Sequence, residues 1–134
     1  MPELPEVEVV KKSLEGRIKN LIIKKVIIND KKLRYKLRIN EFNKLIGKKV
    51  LDVKRRSKFL LFFFENEIVM MVHFGMTGKF LIQDNHSKIS RTSFYYNVTQ
   101  NNNKHNKVIL IFNEKLKLIY NDVRKFGFIK IFTV

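Results

Sequence analysis

A succession of short apolar runs, each closed by polar or glycine-bearing residues, limits what this chain can become. Val50–Arg55, Phe59–Phe64, Ile68–Phe74 and Lys79–Ile82 follow one another closely. Val108–Phe112, Leu116–Tyr120 and Phe128–Phe132 repeat the pattern near the end. Runs of this length, rich in β-branched and aromatic residues, are strands rather than helices. Glu65-Asn66-Glu67 turns the chain between two of them, and Asn113-Glu114-Lys115 makes a second hairpin. Leu21–Ile28 is a further strand. With no cysteine in the chain, no disulfide can staple such strands together, so they must share an apolar core. At 134 residues the chain is long enough for one such core in a single domain, residues 1–134.

Two helical segments stand apart from the strands. In Pro5–Leu14, Val7, Val10 and Leu14 recur at helical spacing, with Gly16 as the stop. Asn40 caps a short second helix with Phe42, Leu45 and Ile46 inward and Gly47 at its end. Lys31–Arg38 is a basic connector. Gln83–Lys107 changes to Asn, Ser, Lys and His and reads as a long mobile loop, in which Phe94, Tyr95 and Tyr96 have the makings of one short strand. Mainly β with α follows: a β-sandwich or flattened barrel with flanking helices.

Charge narrows the partner. Lys and Arg number 28 against 12 Asp and Glu, a formal net charge of +16. That excess favours a polyanion, nucleic acid before an anionic membrane, although a lysine-rich, alanine-free composition also follows from an AT-rich gene. No apolar run reaches the length of a membrane span, and the acidic N-terminus is unlike a signal peptide, so no membrane partner and a cytosolic location are expected. His73, His86 and His105 lack metal-ligand spacing.

Four segments can carry chemistry. After removal of Met1, Pro2 presents a secondary amine beside Glu3, with Glu6 one helical turn on. A terminal amine has a pKa of about 7.7–8.0, so a sizeable fraction is a neutral nucleophile near pH 7. A neighbouring carboxyl can move protons for it. The same residues also suit an ordinary helix start, where proline needs no N–H and glutamates complement the dipole. Lys54-Arg55-Arg56-Ser57-Lys58 can bind successive phosphates or simply be a solvated strand end. His73-Phe74-Gly75-Met76-Thr77-Gly78 puts a methionine at the tip of a tight turn, where an apolar wedge for stacked bases would sit. Asp122-Val123-Arg124-Lys125-Phe126-Gly127 alternates a cation and an aromatic ring in a loop, a pattern suited to stacking on bases unless the ring turns inward.

In this order, MPELPEVE, RRSKFLL, HFGMTG and NDVRKFG resemble the formamidopyrimidine-DNA glycosylase / endonuclease VIII family, and specifically its formamidopyrimidine branch. The resemblance covers nearly the whole chain except the Gln83–Asn103 loop, which is longer than in the family. It implies a two-sheet β-sandwich flanked by two helices, the family's N-terminal catalytic domain. It implies that Pro2 attacks C1′ of a damaged nucleotide, displaces the base and forms a Schiff base. Glu3 becomes the general acid/base, Glu6 part of the proton network, and Lys58 and His73 phosphate contacts near the flipped nucleotide. Met76, Arg124 and Phe126 fill the vacated space, and Lys125 contacts a phosphate. The implied activity is removal of oxidised purines with abasic-site lyase cleavage, on damaged double-stranded DNA, in a bacterial-type, nucleoid-associated cytoplasmic setting.

Two departures qualify that expectation. The family's helix–two-turns–helix element and four-cysteine zinc finger have no match in this sequence, so no cofactor is expected and activity should be weak unless a separate C-terminal-half polypeptide completes the cleft. The family's His-x-His stretch reads His105-Asn106-Lys107 here. A catalytically dead, basic nucleic-acid-binding module is the competing reading, and a lysine-rich structural RNA-binding protein a third.

Overall fold

A computed structural model describes residues 4–30, 32–33, 35–84, 89–91, 105–113 and 116–134. Helix α1 (Leu4–Ile18) opens the fold, followed by β1 (Ile23–Ile28), the one-and-a-half-turn α2 (Ile39–Asn43), β2 (Val50–Arg56), β3 (Phe59–Phe64), β4 (Ile68–His73) and β5 (Gly78–Gln83). Then come β6 (Ile89–Arg91), β7 (Asn106–Phe112), β8 (Lys117–Asp122) and β9 (Phe128–Thr133). Among the described residues the strands form two antiparallel sheets, ordered β1-β7-β8-β5-β6 and β2-β3-β4-β9. The expected sandwich is present.

Period-two alternation explains the core between the sheets. On β3, Leu60, Phe62 and Phe64 are buried while Phe59, Leu61 and Phe63 are half-buried. Phe62 meets Phe80 of the opposite sheet edge-on at 5.7 Å, and Phe80 meets Tyr120 at 5.4 Å. Val7, Val10, Leu14 and Ile18 line one face of α1 and join the same cluster. The helix lies antiparallel to β2: Glu8 pairs with Arg55 near the end of the strand at 3.4 Å, and the Asn20 N–H donates to the Val50 carbonyl at its start at 2.8 Å. The N-terminal turn of α1 therefore points toward the β2–β3 turn.

Several sequence expectations need correction. Helix α1 runs through Gly16 because Ile18, one turn beyond Leu14, is fully buried, and that burial outweighs about 1 kcal/mol of glycine propensity. Asn40 does not cap α2; Arg38 holds the N-cap position without a side-chain bond. Ile46 points outward at 42% exposure, while Phe42 and Leu45 are buried as expected and Gly47 ends the turn at φ +85°. The stretch assigned to a loop from Gln83 to Lys107 contributes β6 and the start of β7, where Asn106 and Lys107 are buried. Phe94, Tyr95 and Tyr96 lie outside the described residues.

Candidate functional site

Topology brings the two glycine-bordered loops together. Residues 74–77 carry the chain from β4 in one sheet to β5 in the other, and residues 123–127 return it from β8 to β9. Within the sheets, His73 pairs with Phe128 and Gly78 with Asp122. Both crossovers are thus side by side at one end of the sandwich. Their backbones touch. A Cβ at Gly75 would stand 2.7 Å from the Gly127 nitrogen, and Gly75 itself has φ +62°. A Cβ at Gly127 would collide with the Tyr120 hydroxyl and stand 2.7 Å from the His73 carbonyl oxygen. Only glycine permits this approach.

The tips project outward. Phe74 is buried at the base of its loop, yet Met76 is 56% exposed; on the facing loop Phe126 is 52% exposed. Large apolar side chains so placed are not core residues, which removes the inward-turned alternative for both. The Arg124 guanidinium Nη1 lies 3.8 Å from the Met76 sulfur, and Phe126 projects from the same loop as Arg124.

Behind the tips is an aromatic floor. His73 is buried and stacks on Phe128 at 5.5 Å with planes 9° apart, and Phe59 packs on both. His73 Nδ1 accepts the Gly75 N–H at 3.1 Å, which places the ring proton of a neutral imidazole on Nε2. Lys58 sits in the two-residue β2–β3 turn, where Ser57 has φ +55°, directly before Phe59. The turn therefore brings Lys58 to the same end as His73. Of the neighbouring cations, Arg55 is committed to Glu8 and to the Ser57 carbonyl oxygen, whereas Arg56 is exposed.

Two carboxylates, the buried Asp122 and the half-buried Asp30, organise the loops, and neither carries a role in the sequence analysis. Asp122 is fully buried. Its Oδ1 accepts the Thr77 hydroxyl at 2.6 Å and the Lys125 N–H at 3.1 Å, and its Oδ2 accepts the Tyr120 hydroxyl at 3.1 Å and the Gly127 N–H at 2.9 Å. Four bonds occupy the acceptor sites of one carboxylate. The Thr77 oxygen in turn accepts the Arg124 N–H at 3.0 Å. An aspartate followed at three and five residues by chain that must turn back is an Asx-type loop signal, and that was available in the sequence.

Lys125, with φ +63°, turns its ammonium to Asp30 at 3.1 Å. The same Asp30 oxygen receives Lys107 Nζ at 3.1 Å, and Lys107 is only 2% exposed. The Lys32 N–H, Lys107 and Lys125 together hold the Asp30 carboxyl well below the usual aspartate range, against a smaller opposing effect of burial. Lys107 stands where the His-x-His stretch has its second histidine, so here that position carries a buried cation tied to β1's end.

Pro2 and Glu3 lie outside the described residues, and of Glu6 only the backbone, within α1, is described. The structure thus brings together Lys58, His73, Met76, Arg124, Lys125 and Phe126, with α1 directed to the same end. The sequence has no cysteine, and among the described residues no group of three His, Asp or Glu side chains could hold a metal. No described helix is long and apolar enough to cross a membrane.

Known proteins resemble this chain in sequence and in fold. The sequence model for the formamidopyrimidine-DNA glycosylase N-terminal domain matches residues 1–129. Formamidopyrimidine-DNA glycosylases of Rickettsia bellii and Rickettsia africae are 38% and 40% identical over 129 residues, and that of the Wolbachia symbiont of Brugia malayi is 37% identical. These matches cover 96% of this chain but 42–43% of each relative, so the chain spans less than half of their length. The Lactococcus lactis Fpg solved in complex with DNA containing an abasic site superposes with a TM-score of 0.79 at 27% identity, over 99% of this chain and 45% of that one. A complex of the same protein with DNA containing FAPY-dG gives the same score over 98% and 44%.

Proposed function

The chain belongs to the formamidopyrimidine-DNA glycosylase family, and from that premise we propose that it engages duplex DNA at a damaged nucleotide and acts there as a glycosylase and abasic-site lyase through the nitrogen of Pro2. The observation that carries the reading is the projecting group of Met76, Arg124 and Phe126, held over the His73 floor at the end toward which α1 points. Two exposed apolar side chains and a guanidinium suit the gap left by an extruded nucleotide; unstacking costs a few kcal/mol, which such insertion offsets in part.

In this mechanism the neutral Pro2 amine attacks C1′. The glycosidic bond breaks and the base leaves with a proton. Glu3 protonates the sugar ring oxygen, the ring opens, and an iminium links Pro2 to C1′. Loss of a C2′ proton expels the 3′ phosphate; a second elimination expels the 5′ phosphate. Glu6 belongs to the proton-handling network. Covalent catalysis divides one difficult step into easier ones. Lys58, Arg56 and His73 Nε2–H suit the phosphates on either side of the lesion. Retained Met1 would turn the nucleophile into an amide, so its removal is required. The chain supplies one wall of a DNA groove. Turnover by the 134 residues alone is accordingly slow, and a second polypeptide supplying the opposite wall raises it.

Borohydride reduction of a mixture with abasic-site duplex tests this. Protein verified by mass spectrometry to lack Met1 is expected to form a covalent adduct, and Pro2→Gly behind an N-terminal extension to form none. Salt-sensitive DNA binding with no adduct from the verified protein would replace the enzyme with the alternative, a basic binding module that lacks catalysis.

A further inference from the structure

Asp122 and Thr77 sit between the two loops, Asp122 fully buried and Thr77 half-buried behind the exposed Met76. From the bond pattern we infer that they are positioning residues that make the Met76 loop and the Arg124–Phe126 loop a single mechanical unit. The inference deepens the proposed function and rests on it only for what the unit acts upon.

The argument begins with connectivity. The Thr77 hydroxyl has one proton to donate, and it goes to Asp122 at 2.6 Å. Its oxygen lone pair takes the Arg124 N–H at 3.0 Å. The Met76 loop is therefore bonded through Thr77 to the last residue of β8 and to the next loop's guanidinium-bearing residue at once. Asp122 then fastens Lys125 and Gly127, on either side of Phe126, through their N–H groups. Every tip side chain is thus flanked by a residue bonded into the Thr77–Asp122 pair. Asp122 is fully buried, so leaving any of its acceptor sites unfilled is costly. Backbone contact of Gly75 with Phe126 and Gly127 closes the unit on its other side.

Two free loops of this length would each lose conformational freedom on entering a base stack. A pre-joined unit has already lost it, so the side chains insert together. The consequence is non-additivity. Truncating Met76 or Phe126 alone should cost about as much DNA affinity as truncating both, because either disrupts the same insertion.

The test uses the full chain and two readouts. Thr77→Val removes the hydroxyl at nearly constant shape; Thr77→Ser keeps it; Thr77→Ala repeats the loss without a second methyl against Asp122, so that a packing fault peculiar to valine is recognised. In DNA-free protein, amide hydrogen exchange at Lys125 and Gly127, whose bonds do not involve Thr77, should accelerate about tenfold or more in the valine and alanine variants and return in the serine variant. On abasic-site duplex, a double-mutant cycle of Met76→Ala and Phe126→Ala should show roughly fivefold coupling in the parent and none in Thr77→Val. Acceleration confined to the Arg124 amide, or coupling unchanged by Thr77→Val, overturns the inference. Acceleration that spreads to Lys125 and Gly127 in a protein with no preference for abasic DNA upholds the unit and removes the repair reading instead.

Discussion

Asp30 joins three parts of the chain that no sequence periodicity relates. Its carboxylate receives Lys107 from β7 and Lys125 from the crossover loop, besides the Lys32 N–H. Lys107 is almost wholly buried, and a buried ammonium stripped of its carboxylate partner is expensive. Asp30→Asn should therefore lower stability by about 3 kcal/mol at pH 7, the low end for a broken buried pair because Asp30 itself is 27% exposed. The folded-state pKa lies below the unfolded value of about 3.9, so the carboxylate's contribution is complete above that pH and fades as the pH falls beneath it. Urea unfolding of parent and variant should differ by the same amount at pH 7 and pH 5.5, and by less at pH 3. A gap that already narrows between pH 7 and pH 5.5 would assign the titration to another group. At this scale the sequence revealed the tips and hid their supports. Met76 stands out by the glycines on either side of it, and Phe126 by its alternation with Arg124 ahead of Gly127. Asp30 falls between the Leu21–Ile28 strand and the basic connector, in residues that carry no pattern, and Lys107 and Asn106 fall in a stretch whose composition reads as a loop, although the Asn106 side chain is buried against Asn121 with a 2.8 Å hydrogen bond.

Elements with a clean apolar pattern were legible to the residue. Strand β3 spans Phe59–Phe64 and β9 begins at Phe128, as the runs dictate. Boundaries failed where a local signal opposed tertiary burial. Gly16 signals a stop, yet α1 continues to Ile18, and Asn121 and Asp122 extend β8 into the polar turn because their side chains find buried partners. The helix overrun yields a prediction about the element. Gly16 is exposed, has no positive φ, and a Cβ there meets nothing within 4 Å. Gly16→Ala should therefore stabilise the fold by about 0.5–1 kcal/mol, seen as a higher urea midpoint with an unchanged slope. A lower midpoint would mean that α1 needs flexibility at this point. Short α2 illustrates the converse difficulty: with so few residues, an asparagine near its start looked like a cap although the backbone places Arg38 there.

For the molecule as a whole, charge decides the first encounter and geometry the second. A formal charge of +16 on 134 residues will attract any duplex, damaged or not. If Lys54, Arg56 and Lys58 meet about three phosphates, the logarithm of the association constant should fall with the logarithm of salt at a slope of roughly −3. A slope shallower than about −1, measured by fluorescence anisotropy on abasic duplex, would show that this basic segment does not track the backbone. The same experiment on intact duplex should give a similar slope and a weaker constant, since the wedge adds nothing there. Because each projecting tip belongs to a crossover linking one sheet to the other, the sandwich behaves like a caliper. Its jaws are set by the thickness of the filling between the plates, at Phe62, Phe80 and Tyr120, so a change of girth deep inside alters the gauge of the opening without touching either jaw.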